Sequence, residues 1–301
     1  MASTFVDPAA LMRIRNLQLR ARHVVDGFYN GLHRSPYHGF SVEFSQYRPY
    51  SVGDDPRQLD WKLFARSDRY HIKQFEDETS RRCYLLVDQS RSMDYTTLAY
   101  SKADYARTVA ASLGYYLTLQ RDSVGLLTFG DEVLQFLPAR HRPGHFRRFL
   151  GALERSSDGT RTDLQKPLEQ IAAVVRRRGL VILISDLLAP IDSLKKHLSH
   201  LIGRGHEVLV LRILDPGEIV LSLSGPTMVR DLESGRDVYI DPHTAIDRYQ
   251  QRFAEHERQV QSACDALGVI FSTLPSDRPV DQALFDLLNM TVRRNSRRGR
   301  R

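Results

Sequence analysis

The chain has only two cysteines in 301 residues, Cys83 and Cys264, and they stand far apart with no CxxC pair. That spacing predicts neither a zinc site nor a disulfide framework, and leaves both thiols as small buried hydrophobes. No apolar run approaches the roughly 18 residues a membrane-spanning helix needs. The first 30 residues offer no signal-peptide core, because Arg13, Arg15, Arg20 and Arg22 interrupt it. The expectation is a cytoplasmic protein without a transmembrane segment. A Gly-x-x-x-x-Gly-Lys loop and a Gly-x-Gly-x-x-Gly fingerprint are both missing, so ATP-driven work would have to come from another protein. The Gly-x-Ser-x-Gly elbow and any His pair at metal-ligand spacing are missing too. A metal-dependent hydrolase, with metal-bound water attacking a phosphoester, therefore stands only as an alternative. His141 and His145 read as surface residues at a helix start. Excess charge is also scarce once it is located. Of the net +7, six charges come from Arg293, Arg294, Arg297, Arg298, Arg300 and Arg301, with no acid among them. This predicts a nearly neutral body and a basic disordered tail over 291–301. Contact with nucleic acid or a membrane surface through that tail is a second alternative; no specific nucleic-acid function is expected.

What the chain does contain is organised around residues 83–92. Tyr84 to Val87 is wholly apolar and ends in Asp88, Ser90 and Ser92. A short apolar run bounded by polar residues predicts a strand buried on both faces. The Asp-x-Ser-x-Ser turn presents a carboxylate and two hydroxyls where that strand leaves the sheet. Two readings fit: a helix N-cap, or hard oxygen ligands for Mg²⁺ or a similar divalent cation. From residue 81 onward, strands and helices alternate. Strands are predicted over 82–88, 124–129, 180–185, 207–214 and 269–274, with helices over 98–121, 143–155, 164–178, 191–202, 246–267 and 279–290. Gly130-Asp131 turns the second strand into an antiparallel edge strand over 133–137. The fold class is α/β, a doubly wound and mostly parallel sheet. Short strands over 219–223, 227–231 and 236–240 predict an inserted hairpin or small meander within about 216–242. Residues 1–80, with a helix over 11–31, strands over 40–44 and 70–73 and a short helix over 57–66, form an N-terminal α+β sub-domain expected to wrap on the main one.

Three oxygen-rich places converge on one sheet edge in this arrangement: Asp88-x-Ser90-x-Ser92, the loop Gly159-Thr160-Arg161-Thr162-Asp163-Leu164, and Asp186 after the most apolar strand. Cap residues need not recur at neighbouring strand ends, so convergence favours the metal reading. These segments resemble the metal-ion-dependent adhesion site of von Willebrand factor A domains, whose motif is Asp-x-Ser-x-Ser, then Thr, then Asp. Thr162, followed by Leu164 and Leu168, keeps the family's register and is chosen over Thr160; Arg161 stands where the family has Gly. The resemblance implies a ligand set of Asp88, Ser90, Ser92, Thr162 and Asp186 for Mg²⁺, or for Mn²⁺ or Ca²⁺. Upstream, Val42-Glu43-Phe44, Tyr47-Arg48-Pro49-Tyr50, Gly53-Asp54-Asp55-Pro56-Arg57, Asp60-Trp61 and Ala65-Arg66 resemble domain-of-unknown-function family 58. Arg230 to Gly235 and Tyr249 resemble its later segments. Tyr47, Tyr50, Gly53, Asp54, Asp55, Arg57, Asp60, Trp61 and Arg66 are the residues of that signature surface. In that bacterial and archaeal family, genes commonly neighbour a MoxR-type AAA+ ATPase. The resemblance implies a non-enzymatic, chaperone-like adaptor that joins such an ATPase to an unknown client protein.

Overall fold

The computed structural model of the chain describes residues 5–34, 47–49, 64, 71–73, 81–155, 165–175, 178–221, 225–230 and 235–298. Chain contacts divide it into two units, residues 1–30 with 81–301, and residues 31–80. Residues 1–30, expected within an N-terminal sub-domain over 1–80, group by contacts with the main unit. Helix α1 (Pro8–Met12) starts with Asp7 accepting from the Ala9 and Ala10 amides and with Pro8 in its first turn. Helix α2 (Leu17–Arg34) carries Leu17, Ala21, Val24, Val25 and Phe28 on one buried stripe. The Phe28 ring stands edge-on to Tyr116 at 5.6 Å and lies 6.4 Å from Phe285. Arg20 Nη1 donates to Thr108 Oγ1 at 3.1 Å.

In the unit 31–80, β1 (Tyr47–Pro49) pairs antiparallel with β2 (His71–Lys73), and Arg48 stands opposite Ile72. The predicted strand over 40–44 and the rest of the signature surface, Tyr50, Gly53, Asp54, Asp55, Arg57, Asp60, Trp61 and Arg66, lie outside the described residues. Of the predicted helix over 57–66, Phe64 alone is described, and it is helical.

The main sheet has six strands: β3 (Arg82–Asp88), β4 (Ser123–Phe129), β5 (Val133–Arg140), β6 (Leu180–Ser185), β7 (Glu207–Leu214) and β10 (Ile270–Pro275), in the order β10-β7-β6-β3-β4-β5. All neighbours are parallel except β4 and β5, as the sequence predicts. Strands β3, β4, β6 and β7 are buried almost throughout, which is why each reads as a continuous apolar run. Connections between them run through α3 (Lys102–Leu119), α4 (His145–Leu153), α5 (Gln165–Val174) and α6 (Ile191–Gly203). Helix α3 lies close to its neighbours because its inner face is small. A side chain at Gly114 would meet the Phe149 ring at 2.9 Å. His145, expected at the surface, is buried, with Nε2 2.7 Å from the Val124 carbonyl oxygen; its imidazole answers a strand carbonyl instead of water.

After β7 the chain departs from expectation. The predicted strand over 219–223 is preceded by a short helix, α7 (Pro216–Ile219), which takes up Ile219 itself. Asp215 and Glu218 form a reciprocal capping box around Pro216, and that local bonding outweighs the β-rich composition of the following residues. Strands β8 (Thr227–Arg230) and β9 (Asp237–Ile240) form a separate antiparallel hairpin, the expected insertion. Helix α8 (Pro242–Leu267) returns to the sheet, and α9 (Val280–Arg298) closes the chain. The tail expected to be disordered over 291–301 is helical as far as Arg298. Arginine is a good helix former, and cations near a helix C-terminus suit its dipole. Among the described residues no helix is long and apolar enough to cross a membrane.

Placing α2 in the main unit has a stability consequence. Phe28→Ala is expected to cost about 3–5 kcal/mol in urea unfolding, the usual cost of emptying a buried aromatic site. A loss below about 1 kcal/mol would mean that α2 does not contribute to the main core.

Candidate functional site

Sheet topology creates the site. The chain runs from β3 to β4 and β5 on one side of β3, then crosses back to β6 on the other side. The crevice at the carboxyl ends of β3 and β6 is thus the topological switch point, where open α/β sheets bind ligands. The register that sets Val87 opposite Ile184 brings the two strand ends level. Asp88 closes β3, Ser185 closes β6, and Asp186 follows it.

All of these side chains are buried. Asp88, Ser185 and Asp186 are 0% exposed, Ser90 is 1% and Ser92 is 7%. Asp88 Oδ1 accepts from the Ser90 amide at 2.9 Å, and Asp88 Oδ2 accepts from Ser185 Oγ at 2.5 Å. Ser90 Oγ and Ser92 Oγ lie 3.1 Å apart. The plain helix-cap reading fails at Ser90, whose side chain makes no cap bond to the short 3-10 turn Arg91–Asp94. The helix that follows, α3, is capped by Ser101 in a capping box with Asp104. Beyond β6, Leu187 adopts a left-handed φ of 58° and is buried. A branched residue there costs of order 1–3 kcal/mol. Ser185 Oγ accepts from the Leu187 amide at 3.0 Å and helps fix this turn.

Two buried cations stand beside Asp186, and sequence reasoning missed both. Lys102 Nζ donates to Asp186 Oδ2 at 2.9 Å and to Glu218 Oε1 at 2.6 Å. Burial works against its charge, but Asp186 and Glu218 hold it above the usual lysine value. Glu218 is pushed upward by its own burial, which Lys102 only partly offsets. Arg212, on β7 opposite Ser185, donates from Nε to the Asp186 carbonyl at 3.2 Å. Its Nη2 lies 3.3 Å from His256 Nδ1, and its guanidinium carbon is 5.2 Å from the Phe253 ring centroid. Arg212 Nη1 is buried without a hydrogen-bond partner among the described residues. One clue was available: a lone Arg inside the apolar run Glu207–Leu214. Lys102 had none beyond its place after a capping Ser. Glu218 was hidden by the strand expected over 219–223.

The donor set fits a divalent cation. Burial, reinforced by the charge on Asp186, pushes the Asp88 carboxyl above the ordinary carboxylate range. Its two oxygens accept from neutral donors, and among the described residues no Lys, Arg or His forms an ion pair with it. A buried carboxylate short of positive charge, beside two hydroxyls, is what a hard oxygen-seeking ion offsets. No three His, Cys, Asp or Glu side chains cluster for a metal among the described residues, so the available set is hydroxyls with two carboxylates. Of the expected ligands, the structure brings Asp88, Ser90, Ser92 and Asp186 to one edge. Thr162, and its competitor Thr160, lie outside the described residues.

Strand order, the single antiparallel edge strand and the Asp-x-Ser-x-Ser turn at the switch point together define a von Willebrand factor A-like domain. Residues 46–262 match the family described as "Protein of unknown function DUF58", and the chain belongs to that family. Uncharacterized protein Rv1480 of Mycobacterium tuberculosis is 30% identical over 277 residues, covering 90% of this chain and 86% of its own length. Among solved structures, the conserved hypothetical protein BatB from Bacteroides thetaiotaomicron is 16% identical with a TM-score of 0.49, covering 71% of this chain and 99% of that one. The SpRpn10 VWA domain is 13% identical with a TM-score of 0.42, covering 70% and 95%.

A buried carboxylate without a counter-charge is retained at a cost to stability. In chelator, Asp88→Asn is expected to leave the unfolding free energy unchanged or to raise it by about 1 kcal/mol, because a like charge facing Asp186 is removed. A loss of more than about 2 kcal/mol in urea unfolding would make Asp88 a structural residue.

Proposed function

We propose that this chain is a non-enzymatic interaction module, an adaptor that uses a divalent-cation site to hold an acidic residue of a partner. The observation that carries this reading is Asp88: a buried carboxylate served, among the described residues, only by neutral donors, set beside two serine hydroxyls and a second carboxylate. Ser90, Ser92 and Thr162 would hold the ion through hydroxyls, and Asp88 and Asp186 directly or through water. Mg²⁺, or Mn²⁺ or Ca²⁺ in its place, supplies an electrophilic open position when bound. Neutral hydroxyl ligands leave much of the positive charge for an incoming Glu or Asp. The chain's own part is to hold, exclude water and release, which makes a reversible contact and no covalent step. The resemblance to family 58 supports a MoxR-type AAA+ ATPase as the working partner, with an unidentified client, in protein maturation or complex assembly. The absence of any nucleotide-binding loop motif in the sequence agrees with that division of labour.

The test mixes the full chain with a MoxR-type ATPase from the same organism, in Mg²⁺ or in chelator. Capture is expected in Mg²⁺ only, and Asp88→Ala should weaken it at least about tenfold with an unchanged circular dichroism spectrum. Capture that persists in chelator or in the variant, or none by the wild type, overturns the reading.

A further inference from the structure

Lys102 is an odd residue for its place. It is the first residue of α3, where the helix dipole disfavours a cation, and its side chain is 0% exposed. A buried ammonium group under the switch point carries a desolvation cost. Yet it is fully engaged there, bonded at once to Asp186 from the end of β6 and to Glu218 from α7, with the Tyr95 ring 5.9 Å away. Asp186 Oδ1 in turn accepts from the Leu188 amide at 3.3 Å. Both oxygens of the expected ligand are therefore committed, one of them to a full positive charge. Arg212 adds a second buried cation on the backbone side of the same residue.

We propose that Lys102 is a built-in counter-cation that competes with a divalent ion for Asp186 and is taken up by Glu218 when it yields. This rests on the metal reading given above. Its physical basis is charge. In a buried site, Asp186 attracts an incoming ion less strongly while an ammonium sits on it at 2.9 Å. Glu218, already 2.6 Å from the same ammonium, lets Lys102 give up Asp186 without becoming an unpaired buried charge. Affinity is thus set by two residues outside the ligand set, and they act in opposite directions. Because Glu218 belongs to α7 at the start of the insertion, occupancy of the site is also linked to that segment: Tyr249 from α8 donates to the Glu218 carbonyl at 2.6 Å.

A prop would behave differently. If Lys102 merely holds Asp186 in position for the ion, removing it should weaken binding. The experiment is calorimetric titration of the full chain with MgCl₂ and MnCl₂, comparing wild type, Lys102→Met, Glu218→Gln and Asp88→Ala. Lys102→Met is expected to bind roughly tenfold more tightly than wild type, and Glu218→Gln roughly tenfold more weakly, within the usual range of coupling between sites. Unchanged or weaker binding in Lys102→Met overturns the proposal while leaving the metal site standing. Should Lys102→Met fail to fold, Glu218→Gln decides, and unchanged or tighter binding in it overturns the proposal. Heat that survives Asp88→Ala, or no heat in wild type and Lys102→Met alike, removes the metal reading and this proposal with it.

Discussion

Asp88 and Asp186 leave the ends of neighbouring parallel strands, both fully buried, and the surrounding edge is built in response to that pairing. Two like charges in a low-dielectric interior repel strongly, and both are shut off from bulk solvent. The chain answers in three ways. Ser185, next to Asp186 in the chain, donates a hydroxyl hydrogen bond to Asp88. The turn after β3 folds its own amide back onto Asp88. Among the described residues, positive charge arrives for Asp186 alone, from Lys102 directly and from Arg212 through the Asp186 carbonyl. The result is asymmetric. One carboxylate is neutralised from within, and among the described residues the other is met by hydrogen bonds only. The proposed cation site rests on that asymmetry, on the Asp88 side where Ser90 and Ser92 stand.

The same edge binds the insertion to the sheet. Asp215, buried at the end of β7, caps α7 through the Gly217 amide at 2.8 Å and accepts from the Thr97 amide at 2.9 Å. Glu218 closes the capping box with its Oε2 and reaches Lys102 with its Oε1. Ends of β3, β6 and β7 are thereby joined by side chains as well as by the ladder. The hairpin beyond α7 shows no buried core among its described residues: all of β8, and β9 apart from Ile240, are exposed.

Local patterns in the sequence read through to structure wherever one element decided the outcome. The apolar runs of β3, β6 and β7 are visible because parallel strands buried on both faces need no alternation. Asp88-x-Ser90-x-Ser92 and Asp186 are visible because each follows such a run. What stayed hidden depends on contacts between distant segments. Lys102 meets Asp186 and Glu218 across 84 and 116 residues, and nothing local distinguishes it from a solvated helix start. α2 joins the main unit because Phe28 finds Tyr116 and Phe285, which no pattern within residues 1–80 could announce. Glu218 was passed over for a different reason. Its apolar successors suggested a strand, while the capping box that decides the matter lies in Asp215-Pro216-Gly217-Glu218.

Natural sequences are locally consistent with their folds, and departures gather where function requires them. Most elements here obey that rule: capped helices, small residues where α3 lies close, apolar runs in the centre. Three departures fall on one edge. Leu187 is held left-handed immediately after Asp186. Lys102 places a cation at the positive end of α3. Asp88 is a buried carboxylate without a counter-charge among the described residues. Each costs free energy that a glycine, a neutral residue or a second lysine would have spared. A structural account would have to explain the three separately. The proposed cation site would cover them together: an edge whose charges are set against each other so that an ion from outside, and the acidic group that follows it, could be bound and let go.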